Sequence, residues 1–220
     1  MKFVIDCLGG DKGAAATVGG ALIGLRAHGD LSVILVGDEK EITELLADAS
    51  AEEKKRIEIV HAPDVITGED KPTDAIRLKK DASMIRAIKL LREDESISAL
   101  ISTGATGALV AASMLRIGRI RGLRRPAFCP VLPTMDGGIV GICDSGANVD
   151  ILPTQLAEFA ILGSRFLESA YGVKKPRVAL LNIGTETEKG DDLRKNAYPL
   201  LAETPGIHFV GNMESRDLLS

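Results

Sequence analysis

Tryptophan is absent from this chain of 220 residues, and aromatic side chains make up only 3% of it. A surface that stacks nucleic-acid bases needs exposed rings, and the net charge of -4 supplies no basic footprint for a phosphate backbone. Nucleic acid is therefore excluded as a partner, and the core has to be built from Leu, Ile, Val and Ala. No apolar run reaches the roughly 18 residues that a membrane-spanning helix needs. Residues 1–6 enter a strand pattern directly, without a charged and then apolar leader, and the chain reads as cytoplasmic. The three cysteines, Cys7, Cys129 and Cys143, are far apart, odd in number and without CxxC spacing, which excludes a disulfide framework and a zinc ribbon. Each adjoins an apolar run, so reduced, buried thiols are expected. The P-loop pattern GxxxxGK[ST], a GxGxxG after the first strand and the GxSxG elbow are all missing, which removes three common enzyme classes.

What is present is a recurring local pattern. Four times an apolar run ends in a loop of Gly and small polar residues, followed by helical spacing. The loops are Asp6-Cys7-Leu8-Gly9-Gly10-Asp11, Ser102-Thr103-Gly104-Ala105-Thr106-Gly107, Asp144-Ser145-Gly146-Ala147-Asn148-Val149-Asp150 and Asn182-Ile183-Gly184-Thr185-Glu186. In an open α/β sheet, ligands bind at the carboxyl ends of the strands. Helix N-termini there offer unpaired N–H groups to anions. The expected ligand is phosphate or a similar anion.

Strand patterns are expected at 2–6, 31–36, 57–61, 97–102, 127–132, 139–144, 177–183 and 207–210. Helices are expected at 14–28, 74–80, 82–93, 106–118 and 189–201, with a further long helix carrying Leu156 to Ala170. Asp38 with Glu41, and Ser50 with Glu53, have capping-box spacing. Residues 62–73 read as a surface loop, and 133–138 as a hairpin or edge excursion. Alternating strands and helices imply an α/β fold with an open, largely parallel, mixed sheet and helices on both faces. One domain covering 1–220 is expected.

Several candidate residues carry two readings. Asp6, Asp11 and Asp144 have the chemistry to hold Mg²⁺ or to cap a helix, whereas Asp150, ahead of Pro153, reads as a cap. Lys189 stands at the expected start of a helix, where a cation opposes the dipole. It is either aimed at an anion or solvated among Glu186, Glu188 and Asp191. Arg116, Arg119, Arg121, Arg124 and Arg125 fall within ten residues, as a solvated segment or a docking patch. His28, His61 and His208 have no Ser or Cys partner by spacing.

The loops above, with Lys71-Pro72, Gly118-Arg119-Ile120, Arg125-Pro126-Ala127, Leu180-Leu181-Asn182-Ile183-Gly184 and Gly211-Asn212, follow the order seen in the PlsX family. The resemblance runs from Lys2 to the last residue. PlsX proteins are phosphate acyltransferases of bacterial phospholipid synthesis. The resemblance implies transfer of the acyl group of acyl-[acyl-carrier-protein] to inorganic phosphate, giving acyl phosphate. It also implies an isocitrate/isopropylmalate dehydrogenase-like fold, a homodimer, no cofactor and no metal. Acyl carrier protein is the implied partner, with peripheral contact to the membrane surface or to a membrane-bound glycerol-3-phosphate acyltransferase. Two other readings stand beside it: an acyl-CoA-dependent, phosphotransacetylase-like enzyme, and an inactive carrier-binding or membrane-associated fragment.

On this reading phosphate is held by Gly9, Gly10, Asp11, Ser102, Gly104, Thr106, Gly107 and Gly184, and Lys189, Asn182 and Asn148 serve the chemistry. Arg119, Arg121 and Arg124 dock the carrier. A covalent route through Cys7 is a further option, without an evident base. The first loop departs from the family's usual D-A-M-G-G-D at Cys7 and Leu8, and Ala105 stands where Asn or Ser is usual. Family members extend beyond the length of this chain. The expectation is therefore an N-terminal two-thirds that, alone, melts early and lacks activity, with Gly211-Asn212 in a loop leading to a further strand.

Overall fold

Along Phe3-Val4-Ile5 and Val33-Ile34-Leu35-Val36 every side chain is apolar, and successive residues point to opposite faces of a strand. Such a strand is stable only with both faces covered, which is the habit of parallel sheets. The computed structural model describes residues 1–220, and the chain divides into two compact units, Met1–Gly118 and Arg119–Ser220.

The first unit runs β1 (Lys2–Asp6), α1 (Gly13–Ala27), β2 (Ser32–Gly37), α2 (Glu39–Leu45), α3 (Ala51–Lys54), β3 (Ile57–His61), α4 (Pro72–Leu78), α5 (Ser83–Glu93), β4 (Ile97–Ser102) and α6 (Thr106–Arg116). Its four strands form one wholly parallel sheet in the order β3-β2-β1-β4. On one face Phe3, Ile5, Val33, Leu35, Ile57 and Ile59 pack with Val18, Ala21 and Leu25 of α1 and with Ile42 of α2. On the other, Val4, Ile34 and Val36 pack with Ala87, Leu90 and Leu91 of α5. Ser50 and Glu53 form the full capping box of α3, at 3.2 and 2.6 Å. At α2 only half of the expected box forms, with Asp38 accepting from the Glu41 N–H at 2.9 Å.

The second unit carries β5 (Val131–Pro133), β6 (Ile139–Gly141), α7 (Pro153–Tyr171), β7 (Arg177–Asn182), α8 (Asp192–Glu203) and β8 (His208–Glu214). The β5–β6 pair is an antiparallel hairpin, and β7–β8 is a separate parallel pair. The mixed sheet expected from the sequence is thus three separate sheets, each of one kind. Leu180, Ala197, Leu201, Phe209 and Tyr198 build the core under α8, with Tyr198 and Phe209 edge to face at 5.2 Å.

Other differences have local causes. The strands expected at 127–132 and 139–144 shrink because Pro130 has no N–H to give the ladder and the pairing slips beyond it, with the Ser145 N–H on Phe128 O. Gly211 and Asn212 lie inside β8 rather than in a loop, with Asn212 in register with Leu180. No helix is long and apolar enough to cross a membrane.

Candidate functional site

The order β3-β2-β1-β4 makes the β1/β4 boundary the point where the chain's winding changes direction, the usual ligand crevice of such sheets. The loops that leave β1 and β4 there touch directly. A Cβ on Gly9 would stand 2.6 Å from Gly104 Cα, and one on Gly104 would stand 2.7 Å from Met84 Cε. At Gly9, against backbone, only glycine permits this approach, whereas at Gly104 the end of Met84 could shift.

Asp6 ties the loops together from below. It is fully buried, and its carboxylate accepts from Ser83 Oγ at 2.5 Å and Ser102 Oγ at 2.7 Å. Ser102 Oγ in turn accepts from the Gly104 N–H at 3.1 Å. Asp6 therefore neither caps a helix nor presents a free oxygen to solvent; it holds β1, β4 and α5 in one arrangement. Cys7 beside it is equally buried, and burial pushes its thiol up to about 11. A fully buried thiol so rarely ionised is a poor nucleophile, which argues against the acyl-Cys7 route.

The helices that follow these two loops start open. Neither α1, preceded by Lys12, nor α6, preceded by Ala105, has a side-chain cap or an acidic residue in its first turn. The starts of α2, α3 and α8 are capped by Asp38, Ser50 and Asp191, while α5, after Ala82, is open like α1 and α6 but does not follow a strand. The α6 start is exposed at Thr106 and Gly107, and Pro72 of α4 lies 3.6 Å from where a Gly107 Cβ would be. That contact brings Lys71-Pro72, which the sequence marks only as part of the motif order, towards the α6 start. Gly9, Gly10, Asp11, Ser102, Gly104, Thr106 and Gly107 thus belong to one end of one sheet. Asp11 is exposed and does not cap α1.

In the second unit, Asp144 organises its loop by accepting from the N–H groups of Phe128, Ala147 and Asn148 at 2.7, 3.2 and 2.9 Å. Asn148 spends both amide hydrogens internally, on Pro126 O at 2.8 Å and Asp144 Oδ2 at 3.0 Å. Its amide is a strut, with no donor left for an oxyanion. Asp150 is exposed and does not cap α7; the cap position is Leu152, whose N–H is accepted by Gln155 Oε1 at 2.7 Å.

The loop after β7 is pinned at both ends by Asn182, which is buried. Its Nδ2 donates to Lys189 O at 3.0 Å, and its Oδ1 accepts from the Ile183 N–H at 2.8 Å. Gly190, at φ +94°, leaves no room for a Cβ against that oxygen. Lys189 lays its stem over Gly184, with Cγ 2.9 Å from where a Cβ would be, and its exposed ammonium forms no ion pair. Lys189 is not the first residue of a helix, as its position suggested. Asp191 caps α8 by accepting from the Arg194 N–H at 3.0 Å, and that backbone bond, with the Arg194 guanidinium at 2.8 Å behind it, lowers the Asp191 carboxyl. The α8 N-terminus is consequently closed to an anion, and any anion in this loop meets Lys189 and backbone instead.

Arg119, Arg121 and Arg124 are exposed in the segment before β5. Arg124 is partly held, with its backbone N–H on Glu158 Oε2 at 3.0 Å and its Nε 3.6 Å from Glu158 Oε1. Arg119 donates to Arg124 O, and Arg121 has no partner.

The family model described as fatty acid synthesis protein matches residues 1–220. A phosphate acyltransferase of Bacillus cytotoxicus is 45% identical over 219 residues, covering 100% of this chain and 64% of the relative. Relatives of the same name from Halalkalibacterium halodurans and Bacillus cereus are each 44% identical, again over 100% of this chain and 64% of theirs. The chain thus spans 64% of the length of these relatives. With every residue matched by one family model and the Gly-rich loops in place, the chain belongs to the fatty acid synthesis protein family, PlsX.

Proposed function

We propose that this chain contributes the phosphate-binding part of an enzyme that transfers an acyl group from acyl-[acyl-carrier-protein] to inorganic phosphate. One observation carries the reading: α1 and α6 both start uncapped, without an acidic residue in the first turn, at the β1/β4 switch point. The names of the relatives support the reaction class.

In this reaction a phosphate oxygen attacks the thioester carbonyl carbon, an oxyanion forms, and the C–S bond breaks. The thiolate leaves on the carrier and takes up a proton. Phosphate is itself the nucleophile, so the protein has to orient and desolvate it and stabilise the oxyanion. N–H groups of Thr106 and Gly107 are candidates to hold phosphate, beside the Gly9-Gly10-Asp11 and Ser102-Gly104 backbone. Lys189 is the candidate charge, with its stem on Gly184. Asn182 acts by setting the loop that carries Lys189, and Asn148 by setting the loop at Asp144.

The carrier as donor, its docking on Arg119, Arg121 and Arg124, the dehydrogenase-like fold, the homodimer and peripheral membrane contact belong to the same proposal. The test has two arms. Phosphate should raise the melting temperature of the chain saturably, more than sulfate or chloride at equal ionic strength. The enzyme to which the chain contributes should release free carrier thiol from acyl carrier only when phosphate is present, with acyl phosphate trapped by hydroxylamine. Release from acyl-CoA alone would move the donor from carrier to coenzyme. Absence of both phosphate-specific stabilisation and phosphate-dependent release would overturn the proposal.

A further inference from the structure

We propose that Cys129 and Cys143 form a dithiol site that closes into a disulfide by exchange with a low-molecular-weight disulfide. The β5–β6 register pairs Val131 with Gly141 and Leu132 with Val140, and Cys129 and Cys143 stand two residues outwards from Val131 and Gly141. The Ile142 N–H donates to Pro130 O at 3.1 Å, so the 130/142 pair is of the hydrogen-bonded kind. Beyond it the Ser145 N–H donates to Phe128 O at 3.0 Å, so one extra residue stands on the β6 side and the pair bends at the step that carries Cys129 and Cys143. Disulfides adopt about 3.5–4.5 Å between Cβ atoms, the approach that closure at this bend has to reach.

Two glycines clear the space around the sulfurs. A Cβ on Gly141 would stand 3.2 Å from Cys129 Sγ. A Cβ on Gly163 of α7 would stand 3.8 Å from Cys143 Sγ and 3.9 Å from Cys129 Sγ, so both sulfurs gather about one point on that helix. A cavity of about 250 Å³, lined by Ala127, Cys129, Cys143, Leu162 and Phe166, gives a small reagent access to both. Both thiols are free and half-buried.

The chemistry needs only the exchanging disulfide. The thiolate of one cysteine attacks a sulfur of the small disulfide, breaking its S–S bond, forming a mixed disulfide and releasing one small thiol. The second protein thiolate then attacks the protein-bound sulfur, forming the Cys129–Cys143 bond and releasing the second small thiol. Two protein thiols are oxidised and one small disulfide is reduced. Burial raises the Cys129 thiol and pushes Cys143 up to about 12, where the neighbouring Cys129 adds to the effect. Cys129, the less buried, is therefore the first attacker. High-pKa thiols attack seldom at neutral pH, and they are also poor leaving groups, so the bond closes slowly and resists reduction once formed.

The experiment exposes the native chain to oxidised glutathione, then unfolds it, alkylates free thiols and reads the intact mass and peptide map. The expected product carries one alkyl group, at Cys7, and a Cys129–Cys143 cross-link. C143S should stop at a mixed disulfide on Cys129, while C7S should close like the parent. Three alkylated thiols after an exposure that oxidises the unfolded chain would overturn the proposal. So would a parent chain that stays at the mixed disulfide, or cross-links that involve Cys7.

Discussion

Replacing Thr106 by Pro removes one N–H from the start of α6 and leaves the helix ladder intact. Thr106 is the first helical residue, whose N–H has no intrahelical acceptor, and Pro is well accepted there. The preceding residue must be extended, and Ala105 already is, at φ -57° and ψ 114°. The first bond of the helix, from Leu109 N–H to Ala105 O at 3.0 Å, does not involve the lost group. Stability should therefore change by no more than about 0.5 kcal/mol. If that N–H holds phosphate, the loss is one hydrogen bond to a charged acceptor, about 1.5–3 kcal/mol. At about 1.4 kcal/mol per factor of ten, phosphate binding weakens roughly 10- to 150-fold. Calorimetric titration with phosphate measures this directly, and the Michaelis constant for phosphate should rise by the same factor. T106A, which keeps the N–H and removes the exposed hydroxyl, should bind close to the parent. A well-folded T106P chain that binds phosphate like the parent would refute the placement of phosphate at α6.

Lys189→Ala should lower turnover far more than thermal stability, since its ammonium forms no ion pair; Lys189→Met keeps the stem on Gly184 and should be equally inactive. Parent-like activity in either variant would remove Lys189 from the mechanism. Arg121→Glu should raise the Michaelis constant for acyl carrier and flatten its salt dependence without loss of stability, because Arg121 has no partner to lose. In Arg124→Glu the Glu158 contact is broken as well, so its melting temperature should also fall. The hydrogen bonds that Glu53 accepts from Ser50, first from its backbone and then its hydroxyl, together with Arg26, hold the Glu53 carboxyl down at about 2, against an ordinary 4.5. Because the folded value is depressed, this contribution to stability is complete above 4.5 and is lost as pH falls towards 2. Acid titration of the melting temperature should show a shallower fall in E53Q across that window.

Most elements were legible because their signals are local. The unbroken apolar runs of β1 and β2 announce a doubly covered parallel sheet, and Ser50 with Glu53 announces the start of α3. The Gly-rich loops after β1 and β4 were also read correctly as neighbours of helix starts. Errors gathered where one residue's role depends on a partner. Lys189 looked like a helix start until Asp191 took the cap, and Asp150 looked like a cap until Gln155 tied down the Leu152 N–H. Cys129 and Cys143 looked unrelated because only the folded hairpin brings both sulfurs to Gly163.

The sequence by itself determined the α/β alternation, the positions of the Gly-rich turns and the family, since these rest on neighbours within a few residues and on motif order. Tertiary structure decided which polar groups are spent and which remain available. Asp6 is a buried knot rather than a ligand because its hydroxyl partners arrive from 77 and 96 residues away, on Ser83 and Ser102. Asn148 is a strut because Pro126 lies 22 residues upstream with its carbonyl in reach. A side chain's capacity to bind is what its hydrogen-bonding groups have left after folding, and that remainder is set by contacts distant in the chain.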